Sequence, residues 1–233
     1  MKRFFKNVEV TRVNGLFRVE LDGKALHSPQ HRCLEFASLA LAEGVANEWR
    51  KQGEEINTFL LPLTQSVNTA LDGVGPARES AITQITAYGN SDLVCYRVES
   101  PDDLKSKQDT LWDPLLERLN SEYGIRLIVT RSIAPVKQSD KEIEKIREII
   151  SPYGDLKLSA LLEVISLTGS LVLGIALFNG WISGHRAGEL AFLDELYQES
   201  LWGVDQEALD RRNAIYIKIS NVERFLNLLS SPG

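Results

Sequence analysis

The chain is predicted to be an α+β protein: a small N-terminal antiparallel, strand-rich domain over residues 1–60, then a larger C-terminal helical domain, an orthogonal bundle, over residues 61–233. Three observations predict it. Apolar and polar residues alternate through the first 36 residues, punctuated by Asn14-Gly15 and Asp22-Gly23. Those dipeptides turn β-hairpins because their residues tolerate positive φ. The alternation vanishes after Pro62. From there, helix caps and three- and four-residue apolar spacing take over.

Val8 and Val10 alternate with polar neighbours, as do Phe17, Val19 and Leu21 with Arg18, Glu20 and Asp22, the pattern of strands with one wet face. Pro29 ends a further short strand and residues 33–36 supply another, so an antiparallel meander is expected. Ser38 caps a helix whose buried face is Leu41, Ala42, Val45, Ala46 and Trp49; Arg50 and Lys51 suit its negative end, and Gly53 stops it. Residues 76–88 are the next helix, and residues 93–98 read equally as extended or helical. Ser100-Pro101-Asp102-Asp103 is a helix start, with Ser100 as cap and Pro101 in first position. Leu104, Leu111, Leu115 and Leu119 then run to Gly124, and Pro114 either kinks that helix or opens a new one capped by Asp113. Residues 127–131 read as a strand. Ser139 and Glu142 form a capping box ahead of Ile143, Ile146, Ile149 and Ile150. Helices follow over residues 157–168, 170–178, 185–201 and 205–229.

Composition excludes several functions. The net charge of −6 repels phosphate backbones, and the cluster Lys2-Arg3-Phe4-Phe5-Lys6 is too small to reverse that. Two cysteines, Cys33 and Cys95, are too few for a secreted disulfide scaffold and read as thiols in a reducing compartment. No signal peptide or transit stretch is visible, and the most apolar run, residues 170–182, is too short to span a bilayer. His27, His31 and His185 are scattered, so no metal site and no cofactor are expected. The glycines at 169 and 174 lack the Gly-Lys-Ser/Thr of a phosphate loop and read as close helix packing. The acid pairs Glu54-Glu55 and Asp102-Asp103 read as solvated helix ends. No nucleophile–base pair emerges, and the chain is not expected to be an enzyme.

One segment stands out. Residues 191–212, AFLDELYQESLWGVDQEALDRR, carry five acids: Asp194, Glu195, Glu199, Asp205 and Glu207. Leu190, Leu193, Tyr197 and Leu201 form its buried stripe. Glu195, Gln198, Glu199 and Trp202 form a second stripe, acidic and ending in an indole. Two readings stand side by side: a solvated face with Trp202 tucked back at a Gly203 cap, or a protein-binding face, since aromatic anchors flanked by charge mark interfaces. Trp112-Asp113-Pro114 poses the same choice.

Several stretches, taken in order, resemble one family: FFKNVEV, VELDGKALHSP, ANEWRKQ, LPLTQSVNTALDGV, DLVCYR, TLWDPLLERL, GSLVLGIAL and LDELYQESLWGVDQEA. They are similar to the Atp-twelve family of ATP synthase assembly chaperones, across nearly the whole chain. The resemblance implies an N-terminal α+β domain and a C-terminal helical bundle. It implies a non-enzymatic role: binding the alpha subunit of the F-type ATPase catalytic head, shielding its beta-contacting surface from aggregation, and leaving when beta arrives. It places the family's functionally important acid at Glu195, two residues before Tyr197-Gln198, or at the adjacent Asp194. The expected partner-binding set is therefore Glu195, Asp194, Gln198, Glu199, Trp202, Trp112 and Asp113. A mitochondrial presequence is absent, which points to a cytoplasmic alpha-proteobacterial member, or to a matrix protein whose presequence has been removed. No heptad repeat demands a dimer, so a monomer is expected when free. A small-molecule hydrolase with a cleft between domains, or a module for some other client, are the alternatives.

Overall fold

The computed structural model describes residues 1–132 and 134–230. The chain divides into two compact units, each considered separately below. The fold class is as expected, with an antiparallel sheet near the N-terminus and helices making up most of the remainder.

The first unit comprises residues 1–78, residues 154–160 and the stretch from Arg224. It therefore extends past the boundary expected at residue 60, which falls in a 3-10 turn, Thr58–Leu60. Strands β1 (Val8–Val13) and β2 (Leu16–Leu21) pair antiparallel, with Val10 opposite Val19. Asn14 (φ 52°) and Gly15 (φ 87°) join them, the two left-handed residues of a type I′ turn. Asp22 (φ 50°) and Gly23 (φ 75°) turn the chain into β3 (Lys24–Ala25). The Asp22 carboxylate accepts from the Asn7 N–H at 2.8 Å, tying down the incoming N-terminal segment. The meander is incomplete: β4 (Glu35–Phe36) pairs not with β3 but with β2, Phe36 opposite Phe17. Val19, Leu34 and Phe36 are buried against helix α1 (Leu39–Arg50), whose Leu41, Ala42 and Val45 complete this core. Ser38 caps α1 as expected, its hydroxyl accepting from the Leu41 N–H, and it donates to the carbonyl of Leu228 at 2.6 Å.

Helix α2 (Pro62–Thr69) begins without a side-chain cap of its own. The buried carboxylate of Glu48 replaces it, accepting from the N–H groups of Leu63 (2.7 Å) and Thr64 (2.9 Å) and from the Thr64 hydroxyl (2.8 Å). Burial nevertheless dominates and pushes the Glu48 carboxyl upward. The chain then passes through a π turn (Ala70–Val74) and a 3-10 turn (Gly75–Ala77) into α3 (Arg78–Ala87).

The second unit comprises residues 79–153 and 161–223. Residues 93–95 form a 3-10 turn, and Tyr96 makes only an isolated bridge to Thr130, so the strand expected over 127–131 does not form. Helix α4 (Asp102–Tyr123) runs unbroken through Pro114 and ends at Gly124 in the left-handed conformation (φ 66°). Ser100 does not cap it; Pro101 takes the N-cap position and offers no side-chain bond. In α5 (Asp140–Ile150) half of the capping box forms. The Ser139 hydroxyl accepts from the Glu142 N–H, but the Glu142 carboxylate turns instead to the Arg126 N–H at 2.6 Å.

Helices α6 (Asp155–Thr168), α7 (Leu171–Phe178), α8 (Gly184–Ala191), α9 (Leu193–Trp202) and α10 (Gln206–Ser230) follow. One helix was expected over residues 185–201; the structure divides it at Phe192. Gly174 packs as expected, since a Cβ there would lie 2.9 Å from Ile165 Cγ1. Asp92, wholly buried, holds the N-terminus of α7 by accepting from Ser170 Oγ (2.7 Å), the Val172 N–H (2.9 Å) and the Val94 N–H (3.1 Å).

Candidate functional site

The segment singled out in the sequence becomes α9, the turn after it and the start of α10. Leu193 and Tyr197 face inward. Two polar bonds fasten the same side of α9 to α4. The buried amide of Gln108 donates to Asp194 Oδ1 at 2.7 Å, and the Tyr197 hydroxyl donates to Asp103 Oδ1 at 2.7 Å. The second bond lowers the Asp103 carboxyl and raises the Tyr197 phenol, as a bond to the charged acceptor requires. Asp103 is thus more than a solvated helix end.

The opposite flank of α9 faces α10. Glu195 accepts from Arg212 Nη1 at 2.9 Å and from Arg211 Nη2 at 2.6 Å, and Glu199 accepts from Arg212 Nη2. The Arg212 side chain is only 3% exposed. Burial alone would lower its pKa, but the bond to Glu199 and the nearby carboxylates prevail and hold it raised. A desolvated guanidinium needs this compensation, and the two carboxylates supply it. Three of the five acids in the segment, Asp194, Glu195 and Glu199, are therefore spent inside the molecule. Glu195, expected as a partner contact, thus has its charge matched within the chain by arginines that no short-range spacing in the sequence revealed.

The indole behaves differently. Trp202 is 79% exposed, and the residues beside it, Leu201 (54%) and Val204 (61%), are exposed as well. The reading in which Trp202 folds back into the helical domain is thus overturned, and so is the assignment of Leu201 to the buried stripe. The cause is local. Gly203 caps α9 with φ 90°, its N–H donating to the Glu199 carbonyl at 2.9 Å, and the chain leaves the helix before another turn can cover the patch. Gln198 on the preceding turn of α9, and Glu207 and Asp210 on the first turns of α10, are exposed too. Asp205 begins α10, its Oδ1 accepting from the Glu207 N–H at 2.9 Å.

Trp112 goes the other way. It is 1% exposed and donates its Nε1–H to the Leu190 carbonyl at 3.2 Å. It belongs to the core and is corrected from the partner-binding set. Asp113, half exposed, pairs at 2.5 Å with Arg97, whose side chain is buried and also meets Asp109 at 2.8 Å. Trp49 is core, as expected. Among the described residues, no group of three or more His, Cys, Asp or Glu could hold a metal ion, and no helix is long and apolar enough to cross a membrane.

The end of α9 thus presents an exposed apolar patch centred on Trp202. The chain belongs to the ATP12 chaperone family, whose family description, ATP12 chaperone protein, matches residues 2–120. It is similar to Atp12 from Paracoccus denitrificans, 32% identical, with a TM-score of 0.94 over 98% of each chain. The Atu1473 protein of Agrobacterium tumefaciens is 36% identical, with a TM-score of 0.91 over 99% of this chain and 85% of that one. The mitochondrial protein atp12 of Schizosaccharomyces pombe is 26% identical over 219 residues, covering 89% of this chain and 75% of its own length.

Proposed function

We propose that the protein is an assembly chaperone of the F-type ATP synthase that binds the unassembled alpha subunit of the catalytic head through the α9–α10 face. The observation that carries this reading is the exposed Leu201-Trp202-Val204 patch on a member of the ATP12 chaperone family. An isolated alpha subunit exposes the apolar surface that beta will cover, and such surfaces self-associate. Holding that surface needs no bond-making. The chaperone occupies it by mass action, lowers the concentration of the free sticky species, and departs when beta competes successfully.

The residues divide the work. Trp202 is the anchor. Glu207 and Asp210 give the rim a negative charge that speeds encounter with a basic surface. Asp194, Glu195 and Glu199 act through α9, holding the helix so that its last turn presents the indole. In this reading the protein works in the cytoplasm of a bacterium or in the mitochondrial matrix, and is monomeric between clients.

The test is affinity capture from cell extract with the full chain and with Trp202→Ser. Recovery of the alpha subunit by the unaltered chain, lost in the variant without a change in melting temperature, is the expected result. Recovery of some other client, of none, or of alpha equally by both proteins overturns the reading.

A further inference from the structure

The first unit contains a cavity of about 460 Å³ that the face just described does not involve. Leu21, Leu26, Ile56 and Leu61 give it an apolar wall. Beside its mouth the chain carries aromatic and aliphatic groups that a folded protein would ordinarily cover: Phe4 is 63% exposed, Phe59 90% and Leu60 58%. Phe59 and Leu60 sit on the 3-10 turn Thr58–Leu60, and Thr58 and the following Leu61 line the cavity.

Two further features say what fits. The first is charge. Among the described residues lining the cavity are Lys24 and His27 and no carboxylate. Lys24 is exposed and has no acidic partner among the described residues. Residues 1–78 hold ten Lys and Arg against nine Asp and Glu in a chain whose net charge is −6, so the acidity of this protein lies elsewhere. The second is an unmet acceptor. Asn68 lines the cavity, and its Oδ1 is buried without a hydrogen-bond donor. Other polar groups of the lining are satisfied: Trp49 Nε1–H donates to Thr64 Oγ1, Thr64 to Glu48, Gln65 to the Thr58 carbonyl, and Ser28 to Asp72. A buried amide oxygen left without a donor is destabilising, and a ligand bearing an N–H satisfies it.

We propose that this cavity is a second docking site, for an extended polypeptide segment that is apolar and carries an acidic side chain. Apolar side chains fill the pocket under Phe59 and Leu60, a main-chain N–H meets Asn68 Oδ1, and the acid meets Lys24. A fatty acid would satisfy the wall and the lysine but leaves the Asn68 oxygen unmet, which favours a peptide. The site is separate from the α9–α10 face and stands whether or not the client of that face is the alpha subunit.

Fluorescence anisotropy with two labelled synthetic peptides tests it. Both alternate valine and threonine; one has a central glutamate, the other a central lysine. The full-length chain is expected to bind the glutamate peptide about fivefold more tightly than its twin at low salt, the scale of one exposed ion pair. Lys24→Glu should reverse that preference, Asn68→Leu should weaken both peptides without lowering the melting temperature, and Trp202→Ser should change neither. Equal affinities for the two peptides, or indifference to Lys24→Glu, overturn the proposal. So does tight binding of dodecanoate that displaces the peptide and persists in Asn68→Leu, which makes the site a lipid pocket. Concentration-dependent self-association abolished by Phe59→Ser overturns it as well, by making the face a contact between copies of this chain.

Discussion

Trp112 and Trp202 sit in the same compact unit, and each is preceded by leucine and flanked by acidic residues, yet one is 1% exposed and the other 79%. The difference lies in what the backbone does next. Helix α4 continues beyond Trp112, through Pro114 and on to Tyr123, so its indole is held against neighbouring helices and its N–H finds the Leu190 carbonyl. Helix α9 stops at Trp202 because Gly203 takes a positive φ. A tryptophan inside a long helix is committed to the core by the turns on either side of it; one at a helix end is committed to nothing until the chain returns to cover it.

The comparison can be broken by experiment, starting where the effect is largest. Trp112→Ala is expected to cost about 3–5 kcal/mol in denaturant unfolding, as truncation of a buried aromatic does, whereas Trp202→Ala should stay within about 0.5 kcal/mol. In client binding the order inverts: Trp202→Ala should lose about 2 kcal/mol, the scale of an aromatic hot spot, in a calorimetric titration. Similar stability losses for the two variants would mean that the indole of Trp202 is packed after all.

Next comes the support beneath α9. Gly188 on α8 lies so close to α10 that a Cβ there would stand 2.5 Å from the ring of Tyr216. Gly188→Ala is therefore expected to cost about 1–3 kcal/mol by overpacking, visible as a lower melting temperature. Glu195→Gln, which keeps the shape and removes the charge facing Arg211 and Arg212, should cost about 1 kcal/mol or somewhat more. Glu195→Lys should destabilise further, because it sets a third cation beside two arginines. If charge reversal at Glu195 instead left the melting temperature untouched and abolished client binding, the carboxylate would act directly on the client.

Acidity separates interior from surface in another way. Desolvation pushes the buried Asp92 carboxyl up to about 6, the bonds from Ser170, Val172 and Val94 working against that rise. Since the folded value exceeds the unfolded value of about 4, this group's contribution to stability is whole below about pH 4 and is lost as pH rises through about 6. Asp92→Asn, neutral throughout, is expected to flatten that part of the stability curve in urea unfolding between about pH 4 and 7. Binding through Trp202 should not follow it. The smallest expected effect is at the rim. Glu207→Lys should leave stability within about 0.5 kcal/mol and slow association with a basic client, a difference from the unaltered protein that added salt abolishes by screening.

How much of this was legible in the sequence depends on how local the signal is. The two hairpins, the Ser38 and Ser139 caps and the Gly124 stop were all readable because each rests on a few adjacent residues. The pairing of β4 with β2 was not, because Phe17 and Phe36 meet only through tertiary folding. The same limit governs the candidate site. The apolar and acidic stripes of residues 191–202 could be read from helical spacing, but the partners of Glu195 lie 16 and 17 residues away on another helix. Glu48 was missed for a like reason: its role is to cap a helix 15 residues later. The exposure of Trp202 turned on Gly203, which was recognised as a helix stop without its consequence for the preceding side chain.

Ser38 and Gly44 both meet Leu228, so the sheet-bearing unit is completed by a segment of chain synthesised long after it. On the ribosome, β1 to β4 and α1 emerge first and must wait, with one side of their core uncovered, until residues 79–153 and 161–223 have been made. Until then the Ser38 hydroxyl lacks its Leu228 acceptor and the space beside Gly44 stays open. A protein read as guarding another polypeptide's unfinished surface passes through its own interval of incompleteness at birth, and a nascent chain arrested before Arg224 would itself be a candidate for protection.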